Sequence, residues 1–245
     1  MTRRIIVAID ESAASHAALE SAARLAAEIS AEILGIFIED VDMFLAAGVP
    51  GSSVVHYHDE SALPLDESGL ARSLRARARQ LRGEVARMAE LYRIPWSFET
   101  VRGRVSEEIL RLAGSSEMIA IGTSSMRGRG IFGATAQAIV ERAHCSVLVV
   151  RRQLPPAQRI VVLSGAKRAH EIGANLARTT GAHLIVQDRP TDRRAAFDLL
   201  MRLSPSYLVI DRPSLEALKV SARELAEGLM LEGLILADEG VPDAP

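Results

Sequence analysis

The chain has 245 residues, 48% of them hydrophobic and 24% charged, which is enough for a sizeable core in one large domain or two small ones. Its net charge of -2 supplies no general pull toward nucleic acid or an anionic membrane. Only 4% of residues are aromatic, so the core is expected to be small-aliphatic, and the single cysteine, Cys145, excludes an internal disulfide.

Ile5–Ile9 is a continuous β-prone run that stops at Asp10-Glu11-Ser12, and it reads as a central parallel strand. Ser12 or Ser15 is placed to cap the following helix, whose alanine-rich face carries Leu19, Ala22, Ala23, Leu25, Ala26 and Ile29. Ile33–Ile38 is a second strand, ending in Glu39-Asp40. Strand, helix and strand with short connections form the βαβ signature of a parallel sheet.

Residues 41–68 break this pattern. With Gly48, Pro50, Gly51 and Pro64 the segment is too long for a plain connection, and segments of this kind serve as lids, partner surfaces or locally disordered chain. A helical period returns over Gly69–Tyr92 through Leu70, Leu74, Ala78, Leu81, Val85 and Met88. The opposite face carries Arg72, Arg75, Arg79 and Arg82, a solvated face without the interleaved aromatics that nucleic-acid binding would use. Ile94-Pro95 ends that helix, and Trp96–Val101 is a third strand. A short helix over Ser106–Ala113 follows, with Ser106 as its cap and Glu107 and Glu108 in its first turn.

The run Met118–Ile121 then gives a fourth strand, and a polar loop bears Gly122, Gly128, Gly130 and Gly133 among Thr123, Ser124, Ser125, Arg127 and Arg129. A helix over Ala136–Ala143 and a fifth strand, Val147–Val150, complete the unit. The loop sits at the carboxyl end of its strand, where open α/β sheets bind ligands. Glycines there admit backbone N–H groups close to an anion, and the next helix points its positive end at the same spot. Two readings stay open: an anion cradle assisted by Arg127 and Arg129, or a turn whose glycines only shape the chain. Gly128, Gly130 and Gly133 match G-x-G-x-x-G formally, but after the fourth strand and without the acidic residue a dinucleotide fold requires. Parallel strands would bring Asp10 to the same sheet edge, either as a carboxylate for a base amine or ribose hydroxyl or as a helix cap.

Other chemistry is weakly marked. His56 and His58 lack further ligands, so no metal site is expected, and Cys145 reads as a small hydrophobe. No nucleophile elbow or carboxylate pair specific to hydrolysis appears. No apolar run reaches membrane-spanning length, and MTRRIIVAIDES lacks a signal-peptide core, so a cytoplasmic location is expected.

Beyond the stiff stretch Leu154–Ala157 the chain begins again. Arg159–Leu163 matches Arg4–Ala8. Asn175-Leu176-Ala177 with Ala182–Ile185 matches Arg24-Leu25-Ala26 with Ala31–Leu34, and Tyr207–Asp211 and Leu234–Leu236 match Met118–Gly122 and Val147–Val149. The second copy passes almost directly to a helix over Arg193–Leu203, without a counterpart of the arginine helix or the third strand. This is an internal duplication with a trimmed second half.

IIVAIDES, GIFIED, VRGRVSEEIL, and IAIGTSS through ERAHCSVLVVRR, in that order over Ile5–Arg152, resemble the universal stress protein family. The resemblance implies an α/β, Rossmann-like parallel sheet of order 3-2-1-4-5, followed by a smaller α/β half lacking the third strand. The implied division is a universal stress protein domain at 1–152, a linker at 153–157, a degenerate half-domain at 158–238 and a tail at 239–245. It also implies a non-enzymatic stress-response module with ATP or AMP between Asp10, beside Ala8 and Ile38, and the loop of Gly122, Ser125, Arg127, Gly128, Arg129, Gly130, Gly133, Ala134 and Thr135. Mg²⁺ accompanying ATP would be the one metal. ATP-binding members carry G-x2-G-x9-G followed by Ser or Thr. Here Ser125 stands at the second glycine, seven residues separate it from Gly133, and Ala134 precedes Thr135. A nucleotide-free interaction scaffold is therefore the alternative. A nucleotide hydrolase or transferase ranks third, because the SGGxDS and HIGH motifs are absent. In the second half Ser164-Gly165 replaces Asp10 and Asp211-Arg212-Pro213 replaces the glycine loop, and no nucleotide is expected there. Family members join through their last strands, so Gly233–Ala237 is expected to pair with Ser146–Arg151 in a pseudo-dimer within one chain. A homodimer through 41–68 or the arginine helix stays open, as does a regulatory protein partner.

Overall fold

The unbroken apolar runs of the sequence become the middle of a nine-stranded sheet. The computed structural model describes residues 4–47, 53–55, 62–64, 67–114, 117–123, 133–151, 159–188, 192–229, 231 and 233–237. The first part runs β1 (Arg4–Ala8), α1 (Ala13–Ile29), β2 (Glu32–Asp40), α2 (Val41–Ala47), β3 (Ser53–Val55), β4 (Ala62–Pro64), α3 (Glu67–Tyr92), β5 (Trp96–Gly103), α4 (Val105–Leu112), β6 (Glu117–Gly122), α5 (Ala134–Arg142) and β7 (Ser146–Val150). The second runs β8 (Arg159–Leu163), α6 (Lys167–Thr180), β9 (His183–Gln187), α7 (Arg193–Leu203), β10 (Tyr207–Asp211), α8 (Arg212–Leu218), α9 (Ala222–Gly228) and β11 (Gly233–Ala237).

The sheet order is β5-β2-β1-β6-β7-β11-β10-β8-β9, and its first five strands have the expected order 3-2-1-4-5. Every neighbouring pair is parallel except β7 and β11, which lie antiparallel with Val149 opposite Leu234 and Leu148 opposite Ile235. Because the central strands are covered on both sides, successive residues bury into opposite layers. Ile5 and Val7 enter a layer with α1, α3 and α6, while Ile119, Ile121, Val147 and Val149 enter one with α4, α5 and the helices after β9. Each fully buried aliphatic side chain contributes about 1.5–3 kcal/mol. The two parts also touch directly, since Arg178 of α6 donates to Glu28 of α1 over 2.7 Å.

Residues 41–68 are not a bare loop. Asp40 accepts from Asp42 N–H at 3.0 Å, which turns the chain out of β2 into α2. Phe44 of α2 packs on the core, and the Arg102 guanidinium lies 3.8 Å over its ring. Beyond it β3 and β4 form a hairpin, with Val54 opposite Leu63. The two glycines and one proline at 48–51 hid the short helix ahead of them. Arg72, Arg75, Arg79 and Arg82 are exposed along α3, and Arg82 lies over Trp96.

The cap assigned to Ser106 is wrong. The helix begins at Val105 with Arg104 in the cap position and no side-chain cap, while Glu107 and Glu108 do occupy its first turn. Val105 packs against a core layer, and that tertiary contact overrides the local preference of Ser106. In the second part the short helices α8 and α9 are additional to the sequence reading. Asp211 caps the first and a Ser221–Glu224 capping box starts the second.

Candidate functional site

Parallel register fixes which residues share a rim. Ala8 lies opposite Ile36, and Val7 opposite Ala120, so the segments leaving β1, β2 and β6 emerge side by side. Asp10 and Gly122 consequently stand on one edge of the sheet. They line a crevice of about 370 Å³ together with Ala8, Ile38, Gly133, Ala134 and Thr135. That volume falls in the range of roughly 300–1,000 Å³ typical of small-molecule sites. Ser125, Arg127, Gly128, Arg129 and Gly130 lie outside the described residues, as do His56 and His58.

The turn at Asp10 is built from hydroxyls. Ser12 caps α1 by accepting from Ser15 N–H at 3.1 Å, and Ser15 Oγ lies 2.7 Å from the Asp10 carbonyl, to which it donates. Asp10 itself is not the helix cap: its Oδ1 accepts from Ser12 N–H at 2.8 Å, closing the turn one step earlier. Partial burial raises the carboxyl's pKa. Hydrogen bonds from Ser12, then Ser15, and the charge of His16 outweigh that cost and hold it below its ordinary value. The rim thus carries a carboxylate that stays ionised at neutral pH.

Gly122 has a packing role. A Cβ there would lie 2.2 Å from the carbonyl carbon and oxygen of Ala14 and 2.5 Å from Ser15 N, so the end of β6 and the first turn of α1 can touch only through glycine. Thr123 continues from it, buried, with its N–H donating to Val150 O at 2.9 Å. Across the crevice α5 starts at Ala134 with Gly133 in the cap position, which supplies no side-chain cap, and no acidic residue occupies the first turn. Gly133, Ala134 and Thr135 are exposed there, and among the described residues no side chain caps the leading N–H groups of α5, whose end of the helix dipole is positive.

Apolar walls complete the site through Ile36, Phe37, Met43, Leu74, Val105 and Ile121, and Arg77 of α3 adds a cation. Ser12, Ser15, Met43, Arg77, Val105 and Thr123 were not marked as site residues by the sequence reading. For Arg77 a signal existed: it follows Leu74 by one helical turn, at the margin of the buried face.

The corresponding rim of the second part is filled. Asp211 is fully buried, its carboxylate accepts from the Ser164 hydroxyl, and its other oxygen accepts from Ser214 N–H at 2.7 Å. His170 Nε2 lies 2.6 Å from the Ser164 carbonyl, and Arg212 reaches back to Ala143 O at 2.6 Å. Among the described residues no cluster of His, Cys, Asp and Glu could hold a metal ion. Nor is any helix among them long and apolar enough to cross a membrane.

Comparison with known proteins gives a consistent picture. The model of the Universal stress protein family matches residues 1–151. A universal stress protein of Methanocaldococcus jannaschii is 26% identical over 154 residues, covering 61% of this chain and 82% of that protein. A universal stress protein from Archaeoglobus fulgidus has a solved structure that matches at a TM-score of 0.65 with 13% identity, over 98% of this chain and 97% of its own. A Pseudomonas aeruginosa protein described as a universal stress protein matches at 0.55 with 12% identity, over 97% and 93%. At such identities the structural likeness is one of fold.

Proposed function

Because the chain belongs to the universal stress protein family, we propose that it is a non-enzymatic regulatory module that binds an adenine nucleotide, ATP or AMP, in the crevice between Asp10 and the start of α5. The observation that carries this reading is the pairing of opposite poles in one cavity. An ionised carboxylate stands on one rim and helix N–H groups that no described side chain caps stand on the other, with apolar side chains between them. Such a cavity suits a ligand with an apolar body, polar edges and an anionic end. The adenine and ribose would lie against Ala8, Asp10 and Ile38. The phosphate would lie at Gly133, Ala134 and Thr135, with Ser125, Arg127, Gly128, Arg129 and Gly130 completing the cradle and Mg²⁺ accompanying ATP.

The proposal extends to the whole chain. Residues 1–152 are read as the nucleotide-binding domain, 158–238 as a degenerate copy, and 239–245 as a tail; 153–157, the linker, lies outside the described residues, as does the tail. The halves then form a pseudo-dimer within one polypeptide, working with a regulatory protein in the cytoplasm. Matching helix ends support the duplication. α1 ends on left-handed Ser30, with Ala31 N–H donating to Ala26 O, and α6 ends on left-handed Gly181, with Ala182 N–H donating to Ala177 O.

A nucleotide-free scaffold is the second reading. What favours it is Gly122, whose missing side chain is already used by the contact with α1. The deciding experiment is to denature purified protein, assay for released nucleotide, and titrate ATP and AMP calorimetrically. Binding that weakens at least tenfold in Asp10→Ala supports the first reading. Absence of both released nucleotide and heat at millimolar ligand leaves the scaffold.

A further inference from the structure

Arg77 lies on the wall of the crevice that α3 supplies. It projects from α3, one turn after Leu74, and both residues line the crevice. Its Nε lies 3.4 Å from Glu11 Oε2, in the turn next to Asp10, and the two side chains are 43% and 48% exposed. That separation exceeds the roughly 2.7–2.9 Å of a charge-assisted hydrogen bond, so Glu11 holds the guanidinium electrostatically without fixing its donors. A pair this exposed to water is weak and readily exchanged. A phosphate group could engage the planar guanidinium by two parallel hydrogen bonds, which this pairing with Glu11 does not make.

Resting on the nucleotide reading of the crevice, we propose that Arg77 is a ligand-binding residue that leaves Glu11 and reaches across the crevice to pair with the phosphate of a nucleoside phosphate held at Gly133, Ala134 and Thr135, which line the same cavity. Glu11 is then a placeholder, a carboxylate occupying the cation until a stronger anion arrives. Arg77 makes the crevice selective for phosphorylated over unphosphorylated nucleosides, and Glu11 weakens that preference by competing for the same cation.

Calorimetric titration of adenosine, AMP and ATP into the full chain, Arg77→Gln and Glu11→Gln tests this, with circular dichroism to verify folding. Arg77→Gln is expected to weaken AMP and ATP by about tenfold or more while leaving adenosine unchanged. Glu11→Gln is expected to act in the opposite direction, tightening AMP and ATP by about two- to fivefold. Equal losses for adenosine and AMP in Arg77→Gln would make Arg77 a packing residue and overturn the inference. Unchanged AMP affinity, or weaker binding in Glu11→Gln, would overturn it while the crevice reading stands. No binding of any of the three to the unaltered protein would sink both.

Discussion

Asp10 shows how one side chain serves both the fold and a prospective ligand. Its lowered pKa means that its bonds to the Ser12 turn favour the charged form, so they contribute stability above the ordinary carboxyl value of 3.8. That contribution disappears as pH falls through the lower value of the folded state. Asp10→Asn is therefore expected to be less stable than the parent at pH 7, with the gap closing as pH falls below 3.8, as read from urea midpoints across that range. Because the group remains ionised from about pH 5 to 8, a ligand bound through it should show no change in affinity across that range on its account. Gly122 makes the complementary case. With backbone atoms 2.2 Å from the site of a Cβ, Gly122→Ala must push α1 off β6, and a loss of about 1–3 kcal/mol or more is expected in denaturant unfolding. From sequence alone Gly122 reads as a ligand glycine; its contact with α1 depends on residues far away in the chain and is invisible to local pattern.

At the scale of elements, the start of α5 offers a test in which stability and binding move in opposite directions. A carboxylate in the first turn of an uncapped helix interacts favourably with its dipole, so Ala134→Glu should raise stability by about 0.3–1 kcal/mol in thermal or urea unfolding. The same charge should abolish binding of ATP or AMP by repelling the phosphate. At the other end of the chain, Ser221→Ala removes the capping box of α9 and should cost about 1 kcal/mol in the same assay. Elements with long periodicity were legible from sequence. α3 and α7 emerge almost residue for residue, and the central strands follow from apolar runs buried on both faces. The failures share one cause. α2 follows β2 directly ahead of glycines and prolines, and α4 starts at Val105 because the core draws that residue in, so tertiary contacts outweighed local residue preference. Arg77 is a partial case: its place one turn after Leu74 marks it as bordering the buried face, but the residues it shares a crevice with come from distant parts of the chain, which spacing along α3 does not reveal.

For the molecule as a whole, the continuity of the sheet predicts shared stability. Ile235 is fully buried opposite Leu148, so Ile235→Ala should cost about 2–5 kcal/mol. Trp96, the single tryptophan, lies at the far edge of the sheet on β5. Its fluorescence should report the lowered midpoint even though the substitution is in the second part; a Trp96 transition that does not move would show that the two parts unfold separately. The antiparallel seam between β7 and β11 has one more result. Where two separate polypeptides meet along such an edge, mass action governs the pairing, and dilution or an excess of a homologous chain can replace one mate with another. Here the mate is tethered, so the seam should survive at nanomolar protein as well as at millimolar, and foreign chains should find that edge already taken.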